Sequence, residues 1–313
     1  MPVFDMEEIP EFFPQLNDSL YIRSSAGIWT NKGKILVDYL TFSKKCQQCL
    51  PHLRFVGLMD AYLSIAKLYH AHQDTLGKYS FSQYISQPDI VSPVIKAKQV
   101  WHPYLDPQRV VPNNWSAGQK KPLNAMVTGP NAGGKSTFIK SMAYAVLLAQ
   151  TLTISPCQSL LLTPFSIIYT YLNIPDCKGK ESLFEAEMNR SLLHIRNLQK
   201  LQQRPRQFAF SIIDEILNST NMEEGISGAY AICKTVGEFS QSISIITTHF
   251  AYLTRLERKT SHYWNYRIPI RYTTSSTQEK EIEYPYRLER GVSKQFIALE
   301  LLKKKGFDSK VVE

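Results

Sequence analysis

The stretch Gly129-Pro130-Asn131-Ala132-Gly133-Gly134-Lys135-Ser136-Thr137 sets glycines, a lysine and two hydroxyls in the spacing GxxxxGK[ST]. That spacing suits phosphate. Glycines let a tight turn aim backbone N–H groups inward at phosphate oxygens, and a helix opening at Lys135 adds the positive end of its dipole. Lys135 can reach the β- and γ-phosphates of a nucleotide, and the Ser136 hydroxyl is a ligand for Mg²⁺. Further on, "FAFSIIDEI" carries an apolar run, interrupted by Ser211, into Asp214 and Glu215. Asp214 suits the hydration shell of Mg²⁺, and Glu215 suits polarisation of an attacking water. "IITTHF" ends another apolar run at His249, where a histidine can sense a γ-phosphate or orient the water.

These groups need a frame that brings them together. Met126 to Thr128 reads as the end of a short strand, and "KSTFIKSMAYAVLLAQ" (Lys135 to Gln150) as a helix with so little polar surface that it must lie in a covered layer. A helical stretch follows at Glu185 to Gln202, then an apolar strand at Phe208 to Ile213. A helix at Glu224 to Ser240 and a strand at Ser244 to Thr248 complete the alternation. It predicts an α/β fold with a largely parallel sheet and helices on both faces, the acid pair standing at a strand's C-terminal end where such folds bind ligands. Upstream, residues 1 to about 30 read as an irregular entry segment. Helical periodicity then runs from about Asn31 to Gln73, with a break at Pro51 that predicts two antiparallel helices. Tyr79 to Trp115, rich in Pro, Val, Ile and aromatics, reads as short strands and turns. The expected division is 1–76 for the entry and helical segment and 77–313 for the α/β domain.

The bulk composition narrows the classes. With 43% apolar and 20% charged residues over 313 positions, a sizeable core is feasible and wholesale disorder is not expected. No apolar run approaches the ~18 residues of a membrane span, and the acidic start MPVFDMEEIPEFF is unlike a secretory signal. A soluble intracellular protein with no membrane partner is expected. Five scattered cysteines argue against a disulfide framework, and Cys46 and Cys49 in "KKCQQC" read as reduced thiols on a helix, since no second ligand pair stands near. The net charge of +9 suits nucleic acid, but it is diffuse. Lys303 to Lys305 reads as a solvated helix end, and Trp264, Tyr266, Tyr284 and Tyr286 as cross-strand packing in preference to a base-stacking ladder.

Taken in order, GPNAGGKST, SLFEAEM (Ser182 to Met188), DEI…TNMEEG (Asp214 to Gly225) and TTHF resemble the ATPase domain of the MutS DNA mismatch-repair family. "VWHP" (Val100 to Pro103) and "VPNN" (Val111 to Asn114) sit at that family's distance before the glycine-rich turn, and "ERGVSKQFIALELLKKKGF" resembles its C-terminal segment. The resemblance covers roughly residues 55 to 308. It implies an ABC-type ATPase preceded by a helical lever, with ATP and Mg²⁺ as cofactors. Two subunits, a homodimer or a pair of paralogues, would sandwich the nucleotides, with Ser182 completing the partner's site in trans. It also implies double-stranded, mismatched DNA as the partner and mismatch repair as the output.

The chain departs from the family pattern in three places. Where that pattern reads DEIGRGTST, this sequence has DEILNSTNM, so Leu217 and Ser219 replace two glycines and a stiffer turn is expected. Val110 stands where many members have an aromatic that stacks on adenine. The upstream mismatch reader and clamp that the family carries do not precede the lever here, so DNA reading is expected from further residues or from a partner. Two other classes remain open: a scaffold whose association is driven by ATP without useful hydrolysis, and another ABC-type ATPase of DNA recombination or maintenance. A generic phosphate-loop kinase has no use for SLFEAEM or TTHF.

Overall fold

In the computed structural model, residues 32–85, 90–172, 183–274 and 280–294 are described. The chain divides into two units, Met1–Ser64 and Ile65–Glu313. The first helix, α1 (Lys32–Ala71), runs without interruption through Pro51. The expected pair of antiparallel helices is therefore replaced by one long helix. A proline in a helix interior removes one backbone hydrogen bond and costs about 3 kcal/mol, which the ~10 turns around it evidently outweigh. Cys46 and Cys49 fall within α1. In the first unit, Leu53, Val56, Met59 and Leu63 are exposed.

The second unit starts with the tail of α1, where Ile65, Leu68 and Tyr69 pack against Tyr79, Trp101, Val110 and Ile154. Short strands follow: β1 (Ser80–Phe81), β2 (Gln83–Tyr84), β3 (Ile95–Val100) and β4 (Asn113–Ala117). Then come β5 (Asn124–Thr128), α2 (Lys135–Leu152), β6 (Ile154–Ser155), β7 (Ser159–Leu162) and β8 (Ile167–Tyr171). The second half continues with α3 (Leu183–Gln202), β9 (Ala209–Asp214), α4 (Met222–Gly237), β10 (Ser242–Thr247) and β11 (Tyr263–Arg267). It closes with β12 (Arg271–Thr274), β13 (Lys280–Glu283) and β14 (Glu289–Arg290).

Six strands form the main sheet in the order β14-β11-β5-β10-β9-β8. Every pair is parallel except β11–β14 at the edge. The strands that carry the chemistry, β5, β9 and β10, are buried almost throughout, as strands covered on both faces are. Alternate side chains divide between the faces. Val127, Ile212 and Ile245 join Phe138, Ile139, Met142 and Val146 of α2 in one core. Met126, Ile213 and Ile246 join Ala229 and Cys233 of α4 in another. A second sheet, β2-β7-β3-β4, closes over α2 from its far side through Ile95, Trp115, Leu160 and Leu162. This double cover explains why the α2 sequence carries so little polar surface.

Trp264 and Tyr266 belong to β11 and pack on the core, with the Arg290 guanidinium 4.3 Å from the Trp264 ring centroid and 5.1 Å from that of Tyr266. They form no free base-stacking ladder. Lys303 to Lys305 lie outside the described residues. None of the described helices is long and apolar enough to cross a membrane.

Candidate nucleotide site

β5 ends at Thr128, and the chain turns through Gly129–Gly134 into α2. Two features make the turn depend on glycine. A Cβ on Gly129 would stand 2.7 Å from the Ile268 carbonyl oxygen, and Gly134 holds φ +97° with the Tyr286 ring 3.0 Å from where its Cβ would be. Ala132 is also left-handed, at φ +61°. Gly134 caps α2, and its carbonyl accepts from Phe138 N–H, the first bond of the helical ladder. As a glycine, Gly134 gives the helix no side-chain cap, which suits its first-turn N–H groups to an anion.

Lys135 is 4% exposed. Its ammonium donates to the carbonyls of Gly129 (2.9 Å) and Pro130 (3.2 Å) and lies 3.9 Å from Glu215 Oε1. Burial lowers its pKa, and the charges of Glu215 and Asp214 only partly oppose that. An anion in the turn would restore the proton affinity that burial removes.

The acid pair is set by register. Asp214, the last residue of β9, lies beside Thr247, the last of β10. Thr247 Oγ1 donates to Asp214 Oδ1 at 2.5 Å and accepts from Glu215 N–H at 3.1 Å. Glu215 N–H also reaches the Thr247 carbonyl at 3.2 Å. Glu215 is left-handed at φ +56°, and its Oε1 accepts from His249 Nε2 at 2.5 Å. The His249 hydrogen bond holds the Glu215 carboxyl below its ordinary pKa, against desolvation and with help from the charges of His249 and Lys135. Glu215 is thus kept as a carboxylate.

A cleft of about 580 Å³ opens over the turn, a volume ordinary for a small-molecule site. Residues Pro130 to Phe138 and Glu215 line its inner end. The 100–113 segment, including Trp101, His102 and Val110, and Tyr286, whose ring stands over Gly134, complete the lining. A second cavity, about 230 Å³, is lined by Asp214, Glu215, Glu187 and Ser219.

The structure thus gathers Gly129, Pro130, Asn131, Ala132, Gly133, Gly134, Lys135, Ser136, Thr137, Asp214, Glu215 and His249 at the C-terminal ends of β5, β9 and β10. Ser182 lies outside the described residues. Val110 is buried among Trp101, Tyr79 and Ile154 and presents an aliphatic wall. Three contributors escaped the sequence reading. Thr247 stands in the quoted TTHF, but a threonine there gives no sign of bonding the acid pair. Asn113, within VPNN, donates to the Tyr286 carbonyl (2.9 Å) and accepts from Leu288 N–H (2.7 Å). Tyr286 itself is 173 residues away along the chain, a distance no local spacing bridges.

Among the described residues no group of three His, Cys, Asp or Glu side chains could hold a metal ion unaided. The donor set, the Ser136 hydroxyl at the glycine-rich turn and the Asp214 carboxylate at the end of β9, would fit Mg²⁺, a hard ion that takes few protein oxygens and completes its shell with water and other oxygen donors.

The family model for MutS domain V matches residues 125–313. The chain is 26% identical over 279 residues to MutS protein homolog 4 of Mus musculus, covering 82% of this chain and 28% of that protein. It is 26% identical over 262 residues to the DNA mismatch repair protein MutS of Persephonella marina, covering 82% and 27%. Against Endonuclease MutS2 of Lactobacillus gasseri the identity is 30% over 224 residues, covering 70% and 26%. The chain therefore spans about a quarter to three tenths of the length of these curated relatives. The motifs in order, the mostly parallel sheet that gathers them and the match over residues 125–313 lead to one conclusion: this chain belongs to the MutS family, through its domain V.

Proposed function

We propose that the chain is a Mg²⁺-dependent ATPase module of the MutS type, working in DNA mismatch repair. One observation carries the reading. Glu215 Oε1 lies 3.9 Å from the Lys135 ammonium and 2.5 Å from His249 Nε2, so three separate segments of the chain meet at one carboxylate beside the glycine-rich turn. ATP occupies the cleft, its phosphates on the turn and on Lys135 and the rest of the nucleotide toward the 100–113 segment. Ser136 and Asp214 hold Mg²⁺, which neutralises phosphate charge when bound. Glu215 accepts the proton of the attacking water, and His249 orients that carboxylate. Ser182 acts in trans, completing the site of a second subunit, identical or paralogous. ATP binding and hydrolysis switch the dimer, α1 transmits the change as a lever, and double-stranded DNA with a mismatch is the partner, reached through other residues or subunits.

A second reading is favoured by the turn after Glu215, where side chains replace glycines: an ATP-driven association scaffold, or a relative serving recombination, without its own mismatch recognition. Turnover per subunit separates the two. The repair reading predicts sustained Mg-ATP hydrolysis by the chain. Association driven by ATP without turnover would favour the second.

A further inference from the structure

The turn after β9 is held in an unusual way. Glu215 and Leu217, two positions apart, are both left-handed, at φ +56° and +53°. Non-glycine residues in that region are strained and persist only where their surroundings over-determine them. Here the surroundings can be named. The Leu217 side chain is buried in the core beside Ile216, Tyr171 and Ala229. Ser219 Oγ donates to Glu187 Oε2 at 2.5 Å. Glu187 stands on the second turn of α3 and is 6% exposed. A carboxylate so buried needs hydrogen-bond donors. Ser219 supplies one and the Tyr171 hydroxyl another, burial and the neighbouring Glu187 charge keeping that phenol protonated. Tyr171 also receives a long 3.5 Å contact from Leu217 N–H. The bond between Ser219 and Glu187 therefore joins the acid-pair turn to α3 across the second cavity, away from the cleft over the glycine-rich turn.

We propose that Ser219 and Glu187 are positioning residues that latch this turn, fixing where the Glu215 carboxylate sits and thereby setting turnover without setting nucleotide affinity. The proposal rests on the ATPase reading given above. Neither residue lines the nucleotide cleft, so nucleotide contacts survive the loss of the latch. Without it, the two left-handed residues lose one restraint, and Glu215 drifts from His249 and Lys135. Misplacement of a reacting group by about 1 Å can slow a reaction on the order of a hundredfold.

The test uses the full chain, with steady-state kinetics and amide hydrogen exchange side by side. Ser219→Ala, at an exposed position where folding is not at stake, is expected to lower kcat about tenfold while moving KM for ATP by less than about twofold. Ser219→Thr, which keeps the hydroxyl, restores kcat. Glu187→Gln, which keeps an acceptor oxygen, loses less than Glu187→Ala, and Ser219→Ala adds nothing on top of Glu187→Ala. A bond that is only structural would lower the melting temperature and leave kcat alone. A wild-type kcat in Ser219→Ala, or a loss expressed wholly in KM, overturns the latch. If the wild type shows no turnover at all, the ATPase reading fails and exchange decides the latch by itself. Ser219→Ala should then speed exchange of the amides of residues 215–220 by about fivefold or more and leave the strands unchanged. Unchanged exchange there overturns it.

Discussion

At the scale of single residues, Thr247 carries more than the sequence suggests. It is fully buried, donates to Asp214 and accepts from Glu215 N–H, so one hydroxyl sets the spacing of the pair. Thr247→Val keeps the shape and removes both bonds. It should cost about 1–3 kcal/mol in denaturant unfolding and slow ATP turnover further than its loss of stability explains. His194 gives a pH prediction. It is buried on α3, stacked on Tyr169 with ring centroids 3.8 Å apart, and its Nε2 lies 3.2 Å from Ser211 Oγ. Burial pushes its pKa down to about 4 from an ordinary 6.5. The unfolded chain therefore binds more protons than the folded one between those values, and stability must fall as pH falls. The contribution is whole above pH 6.5 and is lost progressively toward pH 4, to a limit of about 3 kcal/mol. Unfolding curves from pH 7 to 4 should show this decline, and His194→Gln should flatten it. A wild-type decline that the variant retains would assign it to other groups.

At the scale of elements, legibility followed the strength of the local pattern. β5, α2, β9, α4 and β10 were readable because apolar runs and helical periodicity were long and their boundaries carried glycine or acid residues. The glycine-rich turn and the acid pair came with them, since their chemistry lies in consecutive residues. What escaped depended on pairing. Thr247 meets Asp214 only through strand register, and Tyr286 reaches the cleft only because Asn113 and Arg287 tie the 110–113 and 286–288 segments together. Pro51 misled for a different reason: a local helix-breaking preference of about 3 kcal/mol does not outweigh the many turns of α1 on either side. Pro51→Ala should raise helix content or leave it unchanged and should stabilise the chain by about 1–3 kcal/mol. A substitution without effect on stability would show that the helix is interrupted there after all.

At the scale of the molecule, membership of the MutS family through domain V and a span of about a quarter of its relatives' length set the terms. A domain of this type is proposed to work in pairs. Glu215→Gln, which keeps nucleotide contacts and removes the base, should accumulate ATP-bound dimers in light scattering, whereas a variant that stays monomeric with ATP would count against a composite site. The central claim, that the turn at Gly129–Gly134 and the acid pair form one ATP-hydrolysing site, is tested most directly by measuring ATP binding and turnover together for the wild type, Lys135→Ala and Glu215→Gln. The account predicts a wild type that binds and hydrolyses Mg-ATP, a Lys135→Ala chain that does neither, and a Glu215→Gln chain that binds but turns over about a hundredfold more slowly or worse. Micromolar ATP affinity retained in Lys135→Ala, or undiminished turnover in Glu215→Gln, would contradict it.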